Sequence, residues 1–507
     1  MLWVIRSIHL RSKLPPGPSG LPILGNVLQL PRSQTWLIFD QWTKRYGPIF
    51  YLNIAGQDTI VLGTHKAATD LLDRRANAYS DRPEFVVPNI LTGGMLWILA
   101  QADEFWRRQR RGAHEALSPQ AAKEYFPYQE TESIILVYQL LTEPENFLEH
   151  FQRVSTSLTL SIIYGWSPVL DSNHPTILRI DLFNRHIIKS FTPGNFWVEF
   201  KYFNWMKYLP AWMCSWRRDA EKRFERDSAM LEGLSADVRK RMEAGDEPTS
   251  VAGKLLQDSE NSFEATWNSA TIYTAGSETT AGQLAWFMQA MILYPEVQLR
   301  AHEELGMLEY RYADRVVGSF RLPTFDDYEH LPYIRAMVKE LLRWRPAAPL
   351  GLAHRLNQDD YYEGYFLPKD TICFPNIWSM HHDAKLYGDD VEHFNPSRFI
   401  NSDGRVESSI EDTKDEGHFS FGFGKRVCVG RHVANNSMFI NIACLLWAFS
   451  ITAELDSEGN PKLPDPSRSI EGLTIRPQPF GCKFTARNAD VAELITQAKS
   501  ERIDVDK

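Results

Sequence analysis

The sequence has few cysteines, no excess of positive charge and no long uninterrupted apolar run at its start. Its five cysteines are odd in number, scattered, and without CxxC spacing, which argues against a disulfide scaffold and a zinc site. The net charge of −9 argues against a nucleic-acid surface, which would be basic. No flavin or dinucleotide fingerprint is present, so any electrons that the protein uses come from outside.

The amino-terminal stretch also lacks a complete membrane span. A spanning helix needs roughly 20 apolar residues, and Arg6 and His9 interrupt the apolar run after its first five residues. We expect residues 1–20 to be a short stub with a basic flank and a proline-rich hinge, a curtailed membrane anchor. The alternative is a frayed terminus. No linker is evident further on, so residues 21–507 are predicted to form one large domain.

What is present is a helix-rich pattern with a small β region. Aromatic residues make up 12% of the chain, which suits a large core or an apolar cavity. Residues 48–63 predict two strands around a turn at Ala55–Asp58, and residues 361–375 predict further strands and turns. Two of the predicted helices, 265–293 and 431–450, are apolar on nearly all sides and are expected to be buried. The predicted helices are 65–78, 129–141, 151–164, 219–243, 265–293, 330–344 and 431–450.

One cysteine has unusual neighbours. Cys428 lies in FGFGKRVCVG, residues 421–430, among three glycines and after two cations. Glycines allow close approach of the backbone to a partner, and nearby cations and a helix N-terminus lower the pKa of a thiol. The loop thus predicts a thiolate that is either a catalytic nucleophile or an axial ligand of haem iron. A nucleophile needs a histidine base, and neither His418 nor His432 forms a recognisable dyad, whereas Arg426 suits a haem propionate.

These ten residues match the F-x-x-G-x-R-x-C-x-G haem-binding signature, and the chain resembles the cytochrome P-450 family from LPPGPSGLP to about Pro479. The resemblance implies a mainly α, triangular fold with a small β region, in which one catalytic domain surrounds a buried haem b. It makes Cys428 the iron ligand and places Arg426 and Phe421 at the haem. Through its PGNFWVEF…KYLPAWM segment and its AGSETT stretch, the sequence is most similar to fungal microsomal members of the O-methylsterigmatocystin oxidoreductase and tryptamine 4-monooxygenase type.

A second motif, AGSETT at residues 275–280, lies inside a predicted buried helix. A carboxylate and hydroxyl groups are costly there unless they are used or satisfied. One alternative is that the hydroxyls bond back to the helix and bend it. The resemblance implies an oxygen-activation groove: Ala275 and Gly276 leave room for O2, Thr279 hydrogen-bonds the oxygen, and Glu278 relays protons.

Trp106 and Arg110 lie at i and i+4, so they share one face of a helix. The alternative is a solvated basic helix. The resemblance directs both residues at a haem propionate. It also places His354 at a propionate, with the neighbouring Arg355 as the competing residue.

Glu340 and Arg343 in KELLR lie at i and i+3 and can form an ion pair. The alternative is a surface pair that contributes little. The resemblance adds Arg398 from a following loop and makes the three residues structural: they hold the fold behind the haem and take no part in the chemistry.

The resemblance implies a monooxygenase that inserts one oxygen atom from O2 into a small hydrophobic metabolite of a secondary-metabolite pathway. An NADPH-dependent flavoprotein reductase is the expected electron donor, meeting a basic surface that includes Arg107 and Arg108. Segments 85–105 and 345–352 are expected to line the substrate pocket. The alternatives are a haem-thiolate isomerase or peroxygenase, which needs no reductase, a non-catalytic haem protein, and a helical binding protein without cofactor.

Two segments are predicted to lie at the surface. Residues 191–213 are crowded with aromatics and lysines, which indicates either ordinary core or a patch that dips into a membrane. Together with the shortened anchor, this patch predicts attachment to the cytoplasmic face of the endoplasmic reticulum. Residues 306–313, GMLEYRYA, are predicted to be an insertion in a surface loop.

Overall fold

A computed structural model describes residues 13–171, 174–191, 197–199, 201–246, 250–311, 321–407, 410–472 and 474–503. Residues 1–12 of the predicted stub and residues 192–196 and 200 of the predicted aromatic patch lie outside the described residues. In the part of the chain that is described, no helix combines the length and the apolar character that crossing a bilayer requires.

Helices dominate the described residues, as the periodicity predicts. The buried helix predicted at 265–293 is α9, 32 residues long. The segment predicted as one helix at 65–78 is instead three short turns, of which the middle one, Thr69–Arg74, is π-helical. The α-helices of seven residues or more are α1 Thr35–Tyr46, α2 Val86–Thr92, α3 Glu104–Ala116, α4 Phe126–Thr142, α5 Phe147–Tyr164, α6 Pro175–Phe191, α7 Ser215–Ala244, α8 Val251–Asp258, α9 Ser262–Leu293, α10 Pro295–Arg311, α11 Pro332–Trp344, α12 Arg431–Ala448 and α13 Val491–Ile503.

The β region is small, as predicted. β1 and β2 form an antiparallel hairpin whose two-residue turn has positive φ at Ala55 (46°) and Gly56 (88°), the conformation that suits a tight hairpin. β6 extends this sheet in parallel with β2, and β3 pairs with β6. The strands are β1 Ile49–Ile54, β2 Gln57–Leu62, β3 His354–Arg355, β4 Asp360–Tyr362, β5 Tyr365–Leu367, β6 Ile372–Pro375, β7 Phe449–Ala453, β8 Ser469–Glu471, β9 Ile475–Pro477 and β10 Cys482–Ala486.

Helix α9 runs through the centre of the molecule and belongs to two apolar clusters. Its second half, from Ala281, packs with α4, α11 and α12. Its first half, up to Tyr273, packs with α2, α3, α6, α7 and α8. The polar stretch AGSETT therefore falls at the junction between the two clusters, where the apolar packing of α9 is interrupted.

The segment 306–313, predicted to be an insertion in a surface loop, is helical where it is described, and the insertion itself stays a prediction. Helix α10 continues without a break from Pro295 to Arg311, so the segment from Gly306 to Arg311 extends a helix. Residues 312 and 313 lie outside the described residues.

Candidate active site

The Cys428 loop is fixed by its main chain. A short 3-10 turn, Gly424–Arg426, precedes the cysteine, and the Cys428 amide donates to the Phe421 carbonyl at 2.8 Å. Gly424 has φ of +55°, and a Cβ there would lie 2.1 Å from the Leu72 carbonyl oxygen. Close approach is therefore required at Gly424 by protein packing, whereas a Cβ on Gly422 or Gly430 would meet nothing within 4 Å.

The Cys428 side chain has free surface although protein surrounds it, which places it on the wall of an internal space. Burial raises the pKa of this thiol, and the Gly430 amide, Arg110 and Arg431 lower it by less. The amide and the cations lower the pKa as the sequence predicts, but desolvation outweighs them. A thiolate here needs a positive charge bound against it, which is what a metal ion supplies.

In the middle of α9, the AGSETT stretch is the part that is exposed. Ala275 is exposed and Thr279 is partly exposed, while the residues on both sides are buried. Gly276 lies against α5, since a Cβ there would be 3.3 Å from Thr159 Oγ1. Ala275, rather than Gly276, therefore provides the open surface. The Thr279 hydroxyl donates to the Ala275 carbonyl at 3.2 Å, so the back-bonding alternative is present and leaves the hydroxyl oxygen free to accept a hydrogen bond.

Glu278 is a partly buried acid in this stretch. Burial raises the pKa of its carboxyl; Arg476 lowers it, Asp181 raises it and Arg185 lowers it. Among the described residues the carboxyl makes no hydrogen bond or ion pair. A carboxyl with a raised pKa keeps its proton at a higher pH than an exposed one, which suits a proton donor.

Trp106 and Arg110 share one face of α3, as predicted, and Arg110 Cζ lies 5.8 Å from the Trp106 ring centroid. Arg426 covers the same ring at 4.3 Å. Arg110 donates to the Val427 carbonyl at 2.6 Å, next to Cys428. The structure thus brings Trp106, Arg110, Arg426 and the cysteine loop together.

Two more groups join this cluster. Arg82 is 4% exposed and donates to the carbonyls of Leu352 and Ala353, each at 2.7 Å. His354 is buried, and its Nδ1 donates to the Tyr79 carbonyl at 2.7 Å. Burial, followed by repulsion from Arg82 and Arg426, lowers the pKa of His354 well below its usual value.

The cluster carries more positive charge than the protein neutralises. In the part of the chain that the structure describes, Arg82, Arg110 and Arg426 donate to main-chain carbonyls and to no carboxylate. Burial and mutual repulsion lower the pKa of Arg82 to about 9 and that of Arg426 to about 8. Arg426 Nη1 and Trp106 Nε1 are buried without a hydrogen-bond acceptor. Buried cations and orphan donors require an anionic group, and the propionates of a haem fit this requirement.

The family model for cytochrome P450 matches residues 15–484. The chain belongs to the cytochrome P450 family. It is 44% identical to a cytochrome P450 monooxygenase of Armillaria gallica, across 98% of this chain and 97% of that protein. It is 42% identical to cytochrome P450 monooxygenase 58 of Postia placenta, across 98% and 93% of the two chains. It is 37% identical to the cytochrome P450 monooxygenase iboC of Amanita muscaria, across 98% and 95%. The predicted family, fold and enzyme class are confirmed.

In this P450, the three residues predicted to be structural meet in the core. Glu340 is paired with Arg343 through contacts of 2.7 and 2.8 Å and with Arg398 Nε at 3.1 Å. Glu340 and Arg343 are fully buried, so this is not the exposed pair of the alternative interpretation. Arg343 also donates to three carbonyls in the segment between β6 and the cysteine loop: those of His381, Val391 and His393.

Burial decides which of His354 and Arg355 faces the cation cluster. Arg355 points away from the cluster and pairs with Asp81 at 3.3 Å and Asp370 at 3.2 Å. His354 points inward and lies among the buried cations. The predicted role of His354 therefore keeps its geometric support.

Arg82 was missed at the sequence level. It lies in SDRP, residues 80–83, where a single arginine looks like any surface cation. Its importance comes from burial and from its contacts with a segment about 270 residues away. The proline that follows it was the one local sign of a fixed turn.

The predicted basic surface is partly engaged within this P450. Arg108 pairs with Glu264 of α9 at 3.2 Å, and Arg107 donates to the Asp103 carbonyl. The Arg108 side chain is still about half exposed, so the pair leaves part of it accessible.

Proposed function

We propose that this P450 is a haem-thiolate monooxygenase that inserts one oxygen atom from O2 into a small hydrophobic metabolite of a fungal secondary-metabolite pathway. The observation that carries the proposal is the buried cation cluster beside the Cys428 loop, joined to it by the bond from Arg110 to the Val427 carbonyl. The residues that precede the open stretch Ala275–Thr280 on α9 belong to an apolar cluster that the same loop contacts. Val429, beside Cys428, packs in the same apolar cluster as Ile272 and Tyr273.

Haem b is the cofactor, with Cys428 as the ligand of its iron. The iron would supply the positive charge that a desolvated thiolate requires, and the Gly430 amide would donate to the sulfur. Arg110, Arg426 and Trp106 would hold the propionates. His354 would join them in its protonated form, which the propionate charge would favour, because its Nδ1 proton is already donated to the Tyr79 carbonyl. Arg82 holds the wall at Leu352–Ala353 and adds a further positive charge. When bound, haem supplies the activation of O2.

The side chains of Glu278 and Thr279 supply and position the protons of the reaction. Glu278 donates protons, and the Thr279 oxygen, whose proton goes to the Ala275 carbonyl, accepts a hydrogen bond from a water that it positions beside Ala275. The reaction converts one C–H bond and O2, with two protons and two electrons, to one C–OH group and water. The electrons come from an NADPH-dependent flavoprotein reductase that docks on the basic face of α3.

The carbon monoxide difference spectrum tests the site. The reduced protein with carbon monoxide should show the strongly red-shifted Soret band of thiolate ligation, and Cys428→His should lose that shift while retaining haem. A Soret band without the shift in the wild type would refute the role of Cys428. Consumption of NADPH with reductase, matched by product from a fungal metabolite extract, separates a monooxygenase from a peroxygenase, an isomerase or a non-catalytic haem protein.

The exposed apolar residues support a membrane-facing surface. Leu24 is joined to the β1–β2 turn through the Ala55 amide at 3.2 Å, and the Tyr202 ring lies against Gly56 of the same turn. Two patches therefore meet at this hairpin. Their exposed members are Leu21, Ile23, Leu24 and Leu28 from one segment, and Tyr202, Phe203, Trp205, Tyr208, Trp212 and Met213 from the other.

Most of the large apolar side chains between residues 201 and 213 are exposed, whereas Val198 is buried in the core, and we propose that residues 201–213 rest on the cytoplasmic face of the endoplasmic reticulum membrane. Trp and Tyr favour the interfacial depth of a bilayer. A Trp205→Glu, Trp212→Glu double variant should float less with neutral phosphatidylcholine vesicles than the wild type. Equal flotation of the two proteins would exclude this surface as the attachment site.

A further inference from the structure

The loop that carries Cys428 rests on the segment of short helical turns between residues 69 and 80. A Cβ on Gly424 would lie 2.1 Å from the Leu72 carbonyl oxygen, so the main chains of the loop and the segment touch there. Three successive residues of the loop also bond to this segment. The partners are Asp73 Oδ1 for the Gly424 amide, Asn77 Oδ1 for Lys425 Nζ, and the Ser80 carbonyl for Arg426 Nε. One neighbouring segment thus holds the whole 3-10 turn of the loop.

Of these three bonds, the one from the Gly424 amide to Asp73 joins a main-chain donor to a charged acceptor. A hydrogen bond to an ionised acceptor is about twice as strong as one between neutral groups. A main-chain N–H that loses its partner cannot turn to another one, whereas the exposed side chain of Lys425 can. Arg426 bonds to a neutral carbonyl. Asp73 therefore restrains the main chain of the loop most directly.

The Asp73 carboxylate is itself held in place. Its Oδ1 also accepts from Lys414 Nζ at 3.1 Å, and the side chain is 19% exposed. Its Oδ2 is buried and has no hydrogen-bond partner in the part of the chain that is described. The turn that carries Asp73, Thr69–Arg74, is π-helical, and π-helical turns frequently lie at functional sites. Both bonds of the carboxylate thus converge on Oδ1, the oxygen that meets the cysteine loop.

A restraint on Gly424 is passed on to the cysteine by the main chain. The Val427 amide donates to the Gly424 carbonyl at 3.3 Å, and the Cys428 amide donates to the Phe421 carbonyl at 2.8 Å. These bonds leave little freedom between Gly424 and Cys428. A displacement of Gly424 would therefore move the sulfur as well.

We infer that Asp73 is a positioning residue whose carboxylate fixes the Gly424 amide and thereby holds Cys428 as the thiolate ligand of the haem iron. This inference rests on the proposed function, since it takes Cys428 as that ligand. It adds a residue 351 positions away from Gly424 in the chain to those that keep the thiolate on the iron.

The test compares Asp73→Ala and Asp73→Asn with the control Asp70→Ala. Alanine removes the acceptor for the Gly424 amide, whereas asparagine keeps a neutral one. Asp70 lies in the same π-helical turn, but its partners are Lys66, Arg74 and Tyr362, which do not belong to the cysteine loop. The control therefore removes the same charge from the same turn and leaves the bond to the loop in place.

The measurement is the rate at which the red-shifted Soret band of the reduced carbon monoxide complex converts to the unshifted band, at a urea concentration below the unfolding transition. This conversion reports loss of the thiolate from the iron while the fold persists. We expect it to be about 10-fold faster in Asp73→Ala, equivalent to about 1.4 kcal/mol. It should be about 3-fold faster in Asp73→Asn, because a neutral acceptor bonds about half as strongly. Asp70→Ala should stay within twofold of the wild type, although its free energy of unfolding should fall.

Three results would overturn the role of Asp73. They are a rate for Asp73→Ala within twofold of the wild type, equal rates for Asp73→Ala and Asp73→Asn, and an equal acceleration in Asp70→Ala. If Asp73→Ala does not retain haem, amide exchange of residues 421–428 in Asp73→Asn decides: we expect it to be about 3-fold faster than in the wild type, and an unchanged rate would overturn the inference. Absence of the red-shifted band in the wild type would instead count against the proposed function.

Discussion

Replacement of Glu340 by glutamine should destabilise this P450 more than any comparable surface change. Glu340 is fully buried and accepts from Arg343 at 2.7 and 2.8 Å. It also accepts from Arg398 Nε at 3.1 Å and from the Asn395 amide at 2.8 Å. Glutamine has the same shape, but it offers one acceptor oxygen and turns an NH2 group towards these donors.

The expected loss of stability follows from the buried charge that the substitution leaves unpaired. The Arg343 side chain is 0% exposed and has no other carboxylate partner among the described residues, while Arg398 keeps Asp390 at 3.1 Å. Removal of one partner from a buried ion pair costs about 3–5 kcal/mol, because the other charge stays buried and uncompensated. We expect a loss within that range in the free energy of unfolding.

Urea denaturation followed by far-ultraviolet circular dichroism and by the Soret band measures this loss. Glu329→Gln is the matched control, since Glu329 pairs with Arg335 at 2.7 Å but is 75% exposed, and it should cost less than about 1 kcal/mol. If Glu340→Gln cost no more than the control, the three-residue pairing would not be the element that holds α11 to the segment before the cysteine loop.

Two further predictions concern the distal groove and acid stability. Thr279→Ala should lower the product formed per NADPH several-fold and raise peroxide release. Thr274→Ala removes a similar bond to the helix main chain from a buried position and should leave the product formed per NADPH unchanged. Equal ratios in the wild type and both variants would exclude the proton role of Thr279. Burial lowers the pKa of His302 to about 4 in the folded protein. As the pH falls, the histidine of the unfolded chain takes up a proton near its usual pKa of about 6.5, and that of the folded chain does not. The free energy of unfolding therefore falls as the pH falls from about 6.5 towards 4. His302→Gln should therefore lose about 2 kcal/mol less than the wild type between about pH 7 and pH 5, and equal losses in urea denaturation would contradict this.

Local spacing explains what could be predicted. The pairs Trp106–Arg110 and Glu340–Arg343 each lie on one helical face, so helical periodicity alone brings their side chains together. The long helices α9 and α12 were evident because nearly uninterrupted apolar sequence has no stable place outside a core. The short turns around Thr69–Arg74 and the helix at Gly306–Arg311 were not predicted. Residues 307–311 include the helix formers Met, Leu, Glu and Arg, but the comparison with the family pattern favoured a loop.

The sequence by itself determined the cysteine loop, the polar interruption of α9 and the family, because each depends on residues that are neighbours in the chain or one helical turn apart. Only the tertiary structure decided which cations are buried and which way the pKa of Cys428 moves. Arg82 looks like an ordinary surface charge in the sequence. Its role depends on desolvation and on hydrogen bonds to a segment that is distant in the chain, and both exist only once the chain has folded.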